Sequence, residues 1–238
     1  MDRRQFITSS SMILGITGVS GVSWAQIEAP DQTSGETRLT QEHLSSLGIP
    51  PQITHVIAPG GQSVAVPLQA RIIRQFDGYI YTWSDTERLI RVYDETGNAS
   101  SQINLPDQFG ALKDFTLDSN GNIYAISSGQ NYVTWLDSQG YVLGTIGSAG
   151  IDLPEQLNGP ISLTMDSFDN LHVLNIGTKT IKVFSTSGAY LYEYGQSRWL
   201  KTRSIQRIDG TEKIIVKGGL QQDNIWQFSP AGKLLSSQ

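Results

Sequence analysis

The chain has 238 residues, 38% apolar and 16% charged, enough for one large domain or two small ones and too apolar for a disordered chain. It contains no Cys, which excludes disulfides, thiolate zinc sites, iron–sulfur clusters and a Cys nucleophile together. The formal charge is −5, and a net acidic surface argues against general nucleic-acid binding, which needs cationic patches to displace counterions.

At the N-terminus, Asp2-Arg3-Arg4-Gln5-Phe6-Ile7 precedes a mild apolar run, Met12 to Val22, rich in Gly and Ser. Ser23-Trp24-Ala25 then supplies small residues three and one before a cut at Gln26. Paired Arg3 and Arg4, one spacer, then Phe and an aliphatic resemble a twin-arginine (Tat) export signal. The resemblance implies cleavage after Ala25 and a periplasmic or secreted protein. The apolar run is too short for a stable membrane span, and no Cys follows it for lipidation, so no stable membrane anchor is expected after cleavage. Such signals carry folded cargo, which does not by itself imply a cofactor; none is expected here.

Residues 26–66 differ in composition from residues 67–238. Gln26 to Arg38 is polar and reads as a linker. Thr40 to Leu47 predicts two helical turns with Thr40 as N-cap, stopped by Gly48-Ile49-Pro50-Pro51. Ile53–Ala58 and Gln62–Val66 predict two short strands around Pro59-Gly60-Gly61. Their apolar residues, among them Ile53, Val56, Ile57, Val64 and Val66, belong to no repeat and are expected to cover part of the repeat array on their C-terminal side.

That array, residues 67–238, is built from one unit repeated. Leu112 to Ile126 reads onward through Tyr132 to Gly147, and Pro160 to Leu174 reads onward through Ile181 to Gly195, in almost the same pattern. Two more divergent copies flank them, Arg71 to Gly97 and Ile205 to Gly232. Turn glycines Gly97, Gly140, Gly188 and Gly232 are spaced 43, 48 and 44 residues apart. The second-strand anchors Ile80, Ile123, Leu171 and Ile214 are spaced 43, 48 and 43 apart, and one loop, Ser148 to Gly159, accounts for the long interval. Four short strands per period of about 43 is the size of a propeller blade.

The wording Leu157-Asn158-Gly159-Pro160-Ile161-Ser162-Leu163-Thr164-Met165-Asp166, then Asn170-Leu171-His172-Val173, Ile181-Lys182-Val183-Phe184, Gly188 and Tyr194-Gly195 resembles the NHL-repeat family of β-propellers. The resemblance implies an all-β fold of four-stranded blades, of which four are recognisable. Family members usually close six, so the array is either incomplete or closed by the irregular N-terminal segment. Some NHL propellers are enzymes, namely a His-based metal lyase and calcium-dependent lactonases. The lyase pattern needs several His converging on the channel. Here there are His43 and His55, both ahead of the repeats, and His172, which sits where sister repeats carry Tyr124 and Tyr81.

Asp118, Asp166 and Asp209 end their first strands and are expected to accept turn N–H bonds rather than form a metal cluster. Phe115, Leu117, Leu163, Met165, Tyr124, Val173, Val183 and Phe184 are expected to pack between blades. No carboxylate pair demands acid–base work, there is no Gly-x-Ser-x-Gly elbow, and Gly147-Ser148-Ala149-Gly150 is not a phosphate loop. No catalytic, cofactor or metal residues are therefore assigned.

In this fold the loops joining second to third strands and those joining blades crowd one rim. On it stand Trp83, Asp85, Arg88, Phe109, Asn131, Asn158, Asn175, Lys179, Trp199 and Arg203, a polar set with isolated aromatics suited to a protein or carbohydrate ligand. Gln196 to Gln238 carries seven basic and three acidic residues beside an acidic body, which allows an acidic partner or head-to-tail contact in a homo-oligomer. The expected function is an exported binding or scaffold module. The alternatives are a metal-dependent lyase or lactonase, or an accessory subunit of an exported cofactor enzyme.

Overall fold

Short β-rich runs separated by Gly, Asp and Ser turns fold each repeat into a four-stranded antiparallel meander. A computed structural model of the chain describes residues 53–57, 63–67 and 70–237 apart from 86, 95–97, 108, 196–201, 208–210 and 219–223. The export signal with Arg3, Arg4 and Ala25, the predicted helix over 40–47, Gly97, Trp199 and Asp209 lie outside the described residues.

β1 (Ile53–Ile57) and β2 (Ser63–Pro67) pair antiparallel, as predicted for these two segments. The first blade is β3 (Ala70–Phe76), β4 (Tyr79–Ser84), β5 (Leu89–Tyr93) and β6 (Ala99–Asn104). The second is β7 (Leu112–Leu117), β8 (Ile123–Ser127), β9 (Val133–Leu136) and β10 (Val142–Ile146). Two-residue segments β11 (Ser148–Ala149) and β12 (Gln156–Leu157) pair in parallel within the long loop. The third blade is β13 (Pro160–Met165), β14 (Asn170–Asn175), β15 (Thr180–Ser185) and β16 (Tyr190–Tyr194). The fourth is β17 (Thr202–Arg207), β18 (Ile214–Gly218), β19 (Asn224–Phe228) and β20 (Leu234–Ser237). The four sheets form a four-bladed all-β propeller, with no helix among the described residues.

The repeat extends to backbone irregularities. Every first strand carries a bulge at the same place, between Ala70 and Ile72, Leu112 and Asp114, Pro160 and Ser162, and Thr202 and Ser204. A bulge bends the strand and increases its twist, which the start of an inner strand requires. The turns repeat their chemistry too. Asp118 Oδ1 accepts the N–H groups of Asn120 and Asn122 at 3.0 and 2.9 Å, and Asp166 Oδ1 those of Phe168 and Asn170, both at 2.8 Å. These are the turn roles expected of the two aspartates. At the next turn, Asp94 and Asp137 each accept the backbone N–H four residues on through a carboxylate oxygen, and Ser185 and Ser229 do so through Oγ. Gly232 lies in the last of these turns at φ +78°, where an added Cβ would lie 2.6 Å from Tyr194 Cγ of the neighbouring blade. Only glycine meets both conditions.

Blades hold together through three apolar clusters, one per interface. Trp83, Ile90, Val92 and Ile103 of the first blade meet Phe115, Leu117 and Ile123 of the second. Tyr124, Ile126 and Val133 meet Leu163, Met165, Val173 and Phe184. Leu174, Ile181, Val183 and Tyr194 meet Ile205, Ile214, Val216 and Phe228. All eight residues expected to pack between blades do so.

Inner strands touch in the order β3, β7, β13, β17, and β3 and β17 make no comparable contact among the described residues. A polar thread crosses all four. Arg74 donates through Nη2 to Asp114 Oδ1 and through Nε to Phe115 O at 2.8 Å. Asp114 Oδ2 accepts from Ser162 Oγ at 2.5 Å and from Leu163 N at 3.1 Å. Ser162 Oγ in turn accepts from Ile205 N at 3.1 Å.

Candidate functional site

The loop Ser148–Gly159 is the one part of the clear repeat pair that the meander does not need, because its sister connections join blades without it. It is nevertheless well fixed. Gly150 N donates to Leu157 O at 3.1 Å, and the fully buried Leu157 pins the loop to the core. Gln156 Oε1 accepts the N–H groups of Asp152 and Leu153 at 2.9 and 3.0 Å. The loop's return is tied to the neighbouring rim. Asn131 Oδ1 accepts from Gly159 N, and Asn175 Oδ1 from Asn158 N, each at 2.8 Å.

The fixed loop forms one wall of an open groove of about 530 Å³ on the third blade. Ile151, Asp152, Leu153 and Pro154 stand on the loop side; Thr178, Lys179, Thr180, Lys182, Tyr190 and Glu193 come from the blade. Ile151 and Leu153 remain 61% and 52% exposed, so the lip is apolar and wet.

The floor is polar and connected. Asn175 Nδ2 donates to Thr178 Oγ1 at 2.7 Å, Thr178 and Thr180 share a hydrogen bond of 2.8 Å, and Thr180 Oγ1 reaches Glu193 Oε2 at 3.4 Å. Lys182 lies at the bottom, only 3% exposed. Its Nζ donates to Pro154 O at 2.6 Å, lies 3.7 Å from Glu193 Oε2, and sits 5.9 Å from the Tyr190 ring centroid. Register places Lys182 opposite Val173, the position held by Thr134 in the second blade, opposite Ala125. A lysine on a blade face is ordinarily solvated; here the extra loop folds over it and caps it with a carbonyl. Burial, and secondarily the charge of Glu193, pushes the Tyr190 phenol up, so its hydroxyl stays protonated.

The rim residues named from sequence separate into pins and exposed groups. Trp83 and Phe109 are 2% and 4% exposed and belong to the core between the first two blades, not to a contact surface. Trp83 Nε1 donates to Asp85 Oδ1 at 2.9 Å, and Arg88 Nη2 to Phe109 O at 3.2 Å, which ties the first blade to the connection that follows it. Asn131, Asn158 and Asn175 come together through the loop return, and Asn175 is fully buried. Asp85, Arg88, Asn158, Lys179 and Arg203 are exposed, and of these Lys179 lines the groove. Sequence reasoning missed Lys182, Glu193 and Tyr190. The one available signal was the 48-residue interval, which marked the loop that buries the lysine.

A second buried polar constellation lies beside the turn of the third blade. His172 Nε2 faces Asp166 Oδ2 at 3.2 Å and His172 Nδ1 faces Tyr194 Oη at 2.9 Å, all fully or nearly fully buried. No substrate can reach it as it stands, and Tyr124 makes the matching contact to Asp118 Oδ2 at 3.2 Å in the second blade. It is a packing device. Among the described residues no group of three or more His, Cys, Asp or Glu side chains is placed to hold a metal.

No protein-family model and no curated protein matches the chain. Solved structures do. A streptogramin B lyase superposes with a TM-score of 0.52 at 15% identity, over 79% of this chain and 61% of that one. A protein of unknown function from Bacteroides caccae gives 0.50 at 15% identity, over 79% and 69%. The hydrazine synthase of Kuenenia stuttgartiensis gives 0.49 at 11% identity, over 68% and 46%. What is shared with the first two at these identities is the fold, and the chain spans less than two thirds of the length of the lyase and of the synthase.

Proposed function

We propose that the chain is an exported β-propeller of NHL type that serves as a binding or scaffold module for a protein or carbohydrate ligand, with the third-blade groove as its site. The observation that carries this is the groove's origin. Blades two and three share their bulges and turn chemistry, and depart where a hydrogen-bonded 12-residue loop adds a wall over a buried lysine. Structure that the fold does not require, held rigid at a rim, is where propellers place recognition. The acidic balance of the chain makes nucleic acid an unsuitable partner. The alternative, a metal-dependent lyase or lactonase, is the less supported reading, since among the described residues no group of three or more His, Cys, Asp or Glu side chains is placed to hold its metal.

The test is to screen the protein against a short-peptide library and an oligosaccharide library and to map any hit by hydrogen exchange. Protection concentrated in 151–154 and 178–193 is the expected result. Hits that protect only the opposite rim, or no hits in either library, would remove the groove as the site.

Export is a separate expectation, resting on Arg3-Arg4 and Ser23-Trp24-Ala25. Replacing both arginines by Lys should leave uncleaved precursor in the cytosol, as read by fractionation and N-terminal sequencing. Normal maturation of that variant would overturn the Tat reading.

A further inference from the structure

We propose that the groove's ligand is a neutral saccharide, bound with one of its hydroxyls between Lys182 Nζ and Glu193 Oε2; this rests on the groove being the binding site. An ammonium carries three N–H donors. Among the described residues Lys182 makes one hydrogen bond, to Pro154 O at 2.6 Å, although it is 3% exposed. The nearest carboxylate oxygen, Glu193 Oε2, is 3.7 Å away, beyond the roughly 2.7–3.2 Å of an N–H···O bond. The pair is therefore ion-paired without being hydrogen-bonded. A single oxygen about 2.8 Å from both atoms fits that gap. It must accept from the ammonium and donate to the carboxylate. A hydroxyl does both; a carbonyl or carboxylate oxygen only accepts, and an amide N–H only donates.

Three further features select the class. Two lysines, Lys179 and Lys182, face one aspartate and one glutamate, Asp152 and Glu193, so the lining is formally neutral and favours neither an anionic nor a cationic ligand. The Tyr190 ring, Leu153 and Pro154 offer apolar walls for the C–H faces of a sugar. β15, which carries Lys182 through the floor, is paired on both sides by β14 and β16, so an extended peptide finds no backbone to pair with around Lys182, and the free edge of the sheet is β16. The floor therefore presents side chains, and recognition falls to them.

The experiment titrates the isotope-labelled full chain with neutral di- and trisaccharides of glucose, mannose, galactose and N-acetylglucosamine, beside uronic-acid oligosaccharides and tripeptides, reading amide shifts. A neutral saccharide should shift residues 151–154, 178–182 and Tyr190. Glu193→Gln, on an outer strand and part exposed, should keep the fold and weaken that binding about tenfold, because a charge-assisted hydrogen bond becomes a neutral one of about half the strength. Lys182→Met, a second variant of similar volume, should abolish it. Binding of peptides alone in the groove would overturn the saccharide while leaving the groove as the site. Binding of uronic acids alone, or undiminished binding by Glu193→Gln, would also overturn it. Silence of the groove toward every probe would remove both readings.

Discussion

Replacing Asp114 by Ala should destabilise the protein by about 3 kcal/mol, one of the largest losses available to a single polar side chain in this fold. The carboxylate is buried on the second inner strand and serves three strands at once. Its Oδ1 accepts Phe115 N at 2.9 Å and the Arg74 guanidinium, and its Oδ2 accepts Ser162 Oγ and Leu163 N. Phe115 and Leu163 are fully buried, so their N–H groups would lose a partner where water does not reach. Arg74 keeps Phe115 O and Ile73 O and leaves 25% of its side chain in water, which holds the loss near the lower end of the range for a broken buried pair. Asp114→Asn should cost about half as much, because one amide oxygen still accepts while the amide nitrogen faces other donors. Urea unfolding with both variants and with Ser162→Ala reads the effect directly. Asp114→Ala and Ser162→Ala should be non-additive by about 1 kcal/mol or more, since both cut the same contact. A loss below about 1 kcal/mol for Asp114→Ala would show that the thread is ornamental.

This thread was invisible in the sequence, and the reason is physical. The four repeats place Ile72, Asp114, Ser162 and Ser204 at its bulge position, so periodicity gives no signal there. Its contacts join residues 40 to 49 apart on different blades, a pairing set only by how the blades twist against one another. The blades themselves were legible because each unit must repeat the same local chemistry: the turn aspartates, the turn glycines and the alternating apolar strands. Trp83 and Phe109 misled for a related reason. They lie beside loops in sequence, but a large ring at a strand end gains more from an inter-blade cluster than from the rim. Lys182 stands in the sequence only as one residue of the run Ile181-Lys182-Val183-Phe184, and only the fold of the preceding loop over it makes it a buried cation.

Replacing His172 by Ala should cost about 3 kcal/mol, combining a cavity with the lost partner of the Tyr194 hydroxyl, while Asp166 Oδ2 keeps Asn170 Nδ2 at 3.0 Å. Nδ1 lies 2.9 Å from Tyr194 Oη and Nε2 3.2 Å from Asp166 Oδ2, so both ring nitrogens of the imidazole have a polar partner. Burial, then the neighbouring Tyr192 and Asp166, push the Tyr194 phenol well above its ordinary value, so it remains a donor throughout the neutral range. Asp166 gives the arrangement a pH signature. Burial alone would raise its carboxyl, but hydrogen bonds from His172 and Asn170 outweigh it and hold the group below the usual carboxylate value. A carboxyl lowered in the folded state contributes stability fully above its unfolded pKa of about 3.9 and loses it as pH falls toward the folded value. The stability gap between the parent and Asp166→Asn should therefore be constant from neutral pH down to about 5 and narrow below about 4. In His172→Ala that narrowing should be weaker, because the carboxyl has lost one of the groups that lower it. Chemical unfolding at stepped pH measures both. A gap that stays constant through the acid range, or a His172→Ala variant within about 1 kcal/mol of the parent, would show that the buried Asp–His–Tyr contact contributes no more than ordinary packing.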